Sequence, residues 1–338
     1  MEVTAIQDSW CAVVNIYAAT KKASSMWRRA DKMLDSLNVR FETFFTGKDG
    51  NAMSLAHSAC ESGYRKFIAA GGDGTIHDVL EGIMLFVESR SFTDSPVSLS
   101  EFTLSVVPLG SGNDWIKTAG IPKDIAKAVS LFREGSIAKQ DVVKASLLDP
   151  VHLPEEKVQR VSYMANVGGV GLDARVCERV NNAKKKGRSG KQLYVSALIH
   201  NIIHRAPASA KVVCDGKTIF AGSFLSMAFG IGKYSGGGMR QTPDAILDDG
   251  LLDICIIPEL PLLKIAKEAP KLFNGRFNTV KELVMTRGKS ITVLPYTDNP
   301  SNICSGEPVE VDGEVTGVAP VRFDVLEDQL NILVPTSL

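Results

Sequence analysis

Two glycine-rich segments hold the residue types best suited to chemistry: Gly71-Gly72-Asp73-Gly74-Thr75 and Leu109-Gly110-Ser111-Gly112-Asn113-Asp114. Each follows a short apolar run. The first precedes a helical apolar pattern at Ile76, Val79, Leu80, Ile83, Met84 and Val87. Glycine lets peptide N–H groups approach an anion with no Cβ in the way, and a helix N-terminus adds a favourable dipole. Asp73 would repel a bare phosphate, so it suits phosphates accompanied by a cation such as Mg2+. Taken alone, the segment is equally a tight turn with a surface aspartate. Two such segments at strand C-termini would face one crevice, where open α/β sheets take ligands. Two nucleotide motifs are excluded. Neither segment ends in the Lys-Ser/Thr of a Walker A loop. The dinucleotide fingerprint GxGxxG fails because Trp115 and His77 stand at the third-glycine positions.

The elements that must position these turns alternate in type. Cys11 to Ile16, Val39 to Phe45, Lys66 to Ala70 and Thr103 to Pro108 read as strands. Met26, Ala30, Met33 and Leu37 recur at helical spacing, with Trp27 and Leu34 widening the stripe. Ala52 to Glu61 reads as a helix with Gly63 just past its end, and Asp124 to Glu134 as another. Strand–helix alternation implies a doubly wound parallel sheet covered on both faces. Beyond residue 140 the pattern changes to strands at Val161 to Val167, Ala210 to Val213, Phe224 to Phe229, Leu252 to Ile257, Ile291 to Leu294 and Val321 to Leu326. Asp215-Gly216, Arg287-Gly288 and Asp312-Gly313 punctuate them, and helical stretches are fewer (Asp173 to Lys185, Gln192 to His204, Leu262 to Phe273). The expected fold is an α/β domain over 1–139 and a mainly antiparallel β domain over 140–338, the last strands optionally returning to the first domain. A cleft between the two would be the natural ligand site.

Composition narrows the field. The 338 residues suggest about two domains. At 44% hydrophobic and 22% charged, with 29 Gly and 15 Pro, the chain is neither disordered nor collagenous. Lys+Arg and Asp+Glu are both 38, so the net charge is zero. A protein held to nucleic acid by counterion release would be basic, so no nucleic-acid partner is expected. The six cysteines form no CxxC pair and predict buried, reduced thiols. Acid near the start (Met1-Glu2-Val3) does not suit a secretion signal, and no run reaches a membrane span. A cytoplasmic protein is expected, with the inner face of a membrane as an optional peripheral site.

The two glycine segments, with Pro108 ahead of the second, closely resemble the diacylglycerol kinase catalytic family, which includes bacterial lipid kinases and sphingosine kinases and is related to NAD kinases. Asn166-Val167-Gly168-Gly169-Val170-Gly171-Leu172-Asp173-Ala174 resembles the glycine-rich start of that family's second domain. Tyr234-Ser235-Gly236-Gly237-Gly238-Met239, Pro243-Asp244-Ala245, Asp249-Gly250-Leu251-Leu252-Asp253 and Asp312-Gly313-Glu314 match its later blocks. The chain departs in having Asn15-Ile16 where Asn-Pro is usual, Ser111 for a common threonine, Trp115 for phenylalanine, and Lys117 near a usual arginine.

The resemblance implies ATP-dependent, Mg2+-assisted phosphorylation of a lipid hydroxyl. Gly71, Gly72, Asp73, Gly74, Thr75 and Ser111 would contact ATP phosphates, with Asn15, Thr46 and Asn113 completing the nucleotide site. Asp73 and Asp114 would orient Mg2+ through water. Glu314 becomes the candidate general base, and Asp312, two residues away, would share its face on an extended strand. Adjacent carboxylates raise one another's pKa, which suits a base. Without the other blocks, Asp312-Gly313 is simply a hairpin turn with solvated acids. Asp249 would ligate a second, structural Mg2+ together with the carbonyls of Ile246 and Leu251, or else mark a polar turn. His200 and His204 have zinc spacing but no third ligand, and are expected to be ordinary helix histidines. Lys184, Lys185, Lys186, Arg188 and Lys191 either meet anionic lipid headgroups or form a solvated loop. Expected partners are a lipid substrate, a transient membrane surface and, as an option, a second copy of the chain. A kinase of a soluble acceptor such as NAD, or a nucleotide sensor without turnover, are the alternatives.

Overall fold

The computed structural model describes residues 6, 8–18, 22–48, 50–110, 112–150, 157–185, 191–204, 208–296 and 306–336. The chain divides between Val142 and Val143, and its segment from Glu327 onward belongs with the N-terminal unit.

The first unit runs β1 (Trp10–Val14), α1 (Ala23–Ser36), β2 (Phe41–Phe45), α2 (Ala52–Glu61), β3 (Lys66–Gly71), α3 (Asp73–Arg90), β4 (Thr103–Pro108), α4 (Trp115–Thr118), α5 (Ile125–Glu134) and β5 (Ser136–Gln140). The stripe that α1 buries is Ala23, Trp27, Ala30 and Leu34. Met26, Met33 and Leu37, expected at its centre, pack only along the edge of that core. Tryptophan removes more apolar area than methionine, so the helix turns its indole inward. Gly63 follows α2 with φ 101°, the left-handed conformation that ends a helix. Asp124 caps α5 by accepting the Lys127 N–H at 3.0 Å.

The second unit runs β6 (Val143–Leu148), β7 (Val158–Met164), β8 (Val167–Gly171), α6 (Leu172–Lys185), α7 (Lys191–Ile203), β9 (Ala208–Cys214), β10 (Lys217–Gly230), β11 (Leu252–Pro258), α8 (Leu262–Asn274), β12 (Val284–Gly288), β13 (Ser290–Pro295), β14 (Pro308–Val311), β15 (Glu314–Val318) and β16 (Val321–Val325). β17 (Leu330–Val334) then completes the first unit.

The first sheet has the order β2-β1-β3-β4-β17-β5. β2, β1, β3 and β4 are parallel, and β17 is parallel to β4 but antiparallel to β5. In the second sheet, β15-β14-β8-β10-β9-β13-β16-β6-β7 is one path, and β11 and β12 extend from β10. All its pairings are antiparallel, and Phe229 stacks on Phe323 in its core with ring centroids 4.7 Å apart.

Two expectations need correcting. Val161 to Val167 is not one strand: the backbone breaks at Ala165-Asn166, and Gly168–Gly171, read as a glycine-rich opening, lies within β8. Gly169 allows close packing there. A Cβ at that position would lie 3.0 Å from both the Asp173 Cβ and the Glu310 Oε1.

Cys11, Cys60, Cys214 and Cys255 are buried, whereas Cys177 is only half-buried. Burial pushes the Cys11, Cys60 and Cys255 thiols up to about 12. Such thiols are inert at neutral pH. Cys304 lies outside the described residues. Among those residues, no helix is long and apolar enough to cross a membrane.

Candidate functional site

Parallel register builds the first site. Val14 pairs with both Phe45 and Ala70, and Gly71 pairs with Pro108. The residues that follow, Asn15, Thr46, Gly72 and Leu109, therefore leave the sheet at one edge. The Asn15 N–H donates to the Ala70 carbonyl at 2.9 Å, and the Thr46 N–H to the Val14 carbonyl at 3.0 Å. Asn15 Nδ2 reaches Thr75 Oγ1 at 3.4 Å, while its Oδ1 accepts the Tyr17 N–H at 3.0 Å.

The glycine segments are packed against each other. A Cβ on Gly110 would lie 2.5 Å from the Gly72 Cα, and one on Gly71 would lie 2.1 Å from Thr75 Oγ1. Asp73 is the first residue of α3. Its carboxylate accepts the N–H groups of Asp114 and Trp115 at 2.9 and 3.1 Å, capping α4 from the opposite turn. Asn113 is buried in the left-handed conformation (φ 47°) and donates from Nδ2 to the Gly110 carbonyl at 2.8 Å. Buried Asp114 forms an ion pair with Lys117, and the Trp115 indole donates to Gln140 Oε1 at 2.9 Å. Ser111 lies outside the described residues, as do Lys186 and Arg188 and the side chains of Lys184, Lys185 and Lys191.

This edge suits a phosphate group. Gly74, exposed in the first turn of α3, has no atom within 4 Å of where a Cβ would stand. Thr46 is buried with its Oγ1 lacking a hydrogen-bond partner. A buried hydroxyl without a partner calls for a polar ligand or water. The carboxylates of Asp73 and Asp114 are engaged within the protein, Asp73 with the Asp114 and Trp115 N–H groups and Asp114 with Lys117.

The acidic hairpin differs from expectation. Asp312 and Gly313 have φ 50° and 91° and form the two-residue turn between β14 and β15, with Val311 paired to Glu314. Asp312 and Glu314 therefore do not share the face of one extended strand; the Asp-Gly turn reverses the chain between them. The Asp312 carboxylate accepts the N–H groups of Ala165, Asn166 and Val167 at 2.7, 2.9 and 3.2 Å. That clamp accounts for the break between β7 and β8. Glu314 is exposed, and Asn181 Nδ2 on α6 donates to its Oε2 at 3.3 Å and to the Gly313 carbonyl at 2.9 Å. Buried Glu310 accepts the Gly313 N–H at 2.7 Å.

Sequence reasoning missed Asn181 and Glu310, since isolated polar residues on an amphipathic helix or strand give no signal. It also missed the state of Asp173. Burial pushes this carboxyl up to about 6, against the pull of hydrogen bonds from Gln241 and Ser226. Gln241 Nε2 donates to its Oδ2 at 2.7 Å.

The proposed structural-metal residues do not fit an ion. Asp249 Oδ2 is ion-paired with the Arg287 guanidinium, its Oδ1 accepts the Leu251 N–H at 3.2 Å, and Ile246 is exposed. His200 and His204 lie with ring centroids 4.4 Å apart, and no cluster of three or more His, Cys, Asp or Glu able to hold a metal occurs among the described residues.

The comparisons agree with this architecture. Residues 9–145 match the diacylglycerol kinase catalytic domain, and residues 166–334 match the YegS C-terminal NAD kinase beta sandwich-like domain. The chain belongs to the diacylglycerol kinase catalytic family of lipid kinases. It is 26% identical over 310 residues, 91% of each chain, to a protein of Xanthomonas axonopodis pv. citri named "Probable lipid kinase YegS-like". It is 26% identical over 305 residues to a diacylglycerol kinase of Staphylococcus epidermidis, covering 90% of this chain and 85% of that one. The fold is similar to the crystal structure of a diacylglycerol kinase from Bacillus anthracis str. Sterne, with TM-score 0.65, 16% identity and 98% of each chain covered.

Proposed function

We propose that this protein is an ATP-dependent kinase that phosphorylates a hydroxyl of a diacylglycerol- or sphingoid-like lipid. The observation carrying this reading is the pair of interlocked glycine turns with an open helix N-terminus at Gly74. Phosphoryl transfer depends mainly on positioning and on neutralising charge. Asn15, Thr46, Gly71, Gly72, Gly74, Thr75, Ser111 and Asn113 would hold the phosphates. Bound Mg2+ would supply charge neutralisation, with Asp73 and Asp114 reaching it through water. Glu314 would take the proton of the acceptor hydroxyl as the bond to phosphorus forms. Asp312 would act as a positioning residue: its clamp on Ala165, Asn166 and Val167 anchors the hairpin that presents Glu314. The acceptor would be met at the inner surface of a membrane.

The NAD-kinase-like character of the C-terminal match favours one second reading, a soluble dinucleotide acceptor. Incubation with γ-labelled ATP and, separately, diacylglycerol, a sphingoid base, phosphatidylglycerol and NAD separates the two. Label in a lipid product supports the proposal. Label in NAD alone replaces it, and ATP binding without transfer to any acceptor leaves a nucleotide sensor.

A further inference from the structure

The resemblance places a structural Mg2+ on Asp249 and the carbonyls of Ile246 and Leu251, but the residues here are arranged around a different cation. Arg287 lies in β12 directly opposite Asp253 in β11. Its Nε donates to Asp253 Oδ2 at 2.9 Å, and a terminal nitrogen is ion-paired with Asp249 Oδ2. Strand register places Arg287 opposite Asp253, and the length of its side chain lets the same guanidinium reach Asp249 in the turn before β11. The neighbouring Gly288 lies close to the end of β9. A Cβ on it would lie 2.2 Å from Cys214 Sγ and 2.8 Å from Asp215 Oδ2, so β12 is seated tightly against the end of β9. The side chains of Arg287, Asp249 and Asp253 are 34%, 22% and 9% exposed, which keeps the group partly out of water.

We propose that Arg287 takes the place of the structural metal ion, tying the turn at Asp249 to the β11–β12 ladder so that this turn needs no divalent cation. A guanidinium presents several donors in a fixed plane and can serve two carboxylates at once. A hard divalent ion would need the Asp249 oxygen that the guanidinium holds. Arg287 would play this part whether or not the protein binds ATP or turns over.

The test uses nucleotide-free full-length protein. Elemental analysis after gel filtration should find no stoichiometric divalent ion, and the melting temperature should be unmoved by EDTA or by added Mg2+. Arg287→Gln should melt lower and gain a Mg2+-dependent rise in melting temperature that the parent lacks. A stoichiometric ion in the parent, or melting lowered by EDTA, overturns the proposal. So does an Arg287→Gln variant no more responsive to Mg2+ than the parent, which would leave an ordinary ion pair. Should Arg287→Gln fail to fold, Asp249→Asn decides. It should melt lower at unchanged metal content, and a metal content that falls with the substitution contradicts the proposal.

Discussion

Asp73 carries a charge that the proposed phosphate site can least accommodate, and its bonds to the Asp114 and Trp115 N–H groups explain its presence. Removing it leaves two peptide donors without their carboxylate, at about 1–3 kcal/mol for each buried group that water cannot reach. Asp73→Ala should therefore lower both the melting temperature and ATP affinity, and the two are measured side by side. Gly74 gives the opposite signature. Alanine there meets no neighbour and favours the helix. Gly74→Ala should melt no lower than the parent yet bind ATP more weakly by calorimetry. Unchanged affinity would move the phosphates off this helix. Asp173 gives a pH signature. Its carboxyl is held at about 6, above the usual carboxylate range, so the folded state binds the proton more tightly than the unfolded state. That contribution is complete below about pH 4 and is lost as pH rises through about 6. Asp173→Asn cannot ionise. Thermal melts should show it gaining on the parent across that window and keeping a constant advantage above it.

At the scale of elements, β4, α2 and the apolar face of α3 could be read directly from the sequence, because buried runs and helical periods state them. The hairpin could not. Asp312-Gly313 signals a turn, but only long-range bonds from Ala165, Asn166 and Val167 show that the aspartate is a clamp. Treating Asp312 and Glu314 as neighbours on one strand assumed an extended backbone that two positive φ angles exclude. The glycine turns were legible as a pair, while their mutual contact was not, since no local pattern reveals that Gly110 lies against Gly72. Likewise the pairing of Arg287 with Asp253, from which its guanidinium reaches Asp249, comes from β-sheet register 34 residues apart. The interlock makes a prediction of its own. A methyl group on Gly110 would overlap the Gly72 backbone, so Gly110→Ala should cost on the order of 1–3 kcal/mol, the usual penalty of overpacking. Denaturant unfolding reads that loss directly, and a stability equal to that of the parent would mean the two turns are not in contact.

For the whole molecule, the chain builds an α/β unit, leaves it for an antiparallel β unit, and returns to insert β17 between β4 and β5. The paired glycine turns belong to the first unit and the candidate base, Glu314, to the second. Binding and proton removal should therefore separate under mutation. Glu314→Gln keeps the size and hydrogen-bonding reach of the side chain but removes its basicity. The most direct test of the account is the rate of phosphate transfer from γ-labelled ATP to lipid by parent and Glu314→Gln, read beside the ATP affinity of each. Transfer by the parent, a fall of about 10²–10⁴-fold in kcat for the variant, and equal ATP affinity are expected. Near-parental turnover by Glu314→Gln, or no transfer to any lipid by a parent that binds ATP, would contradict the proposal.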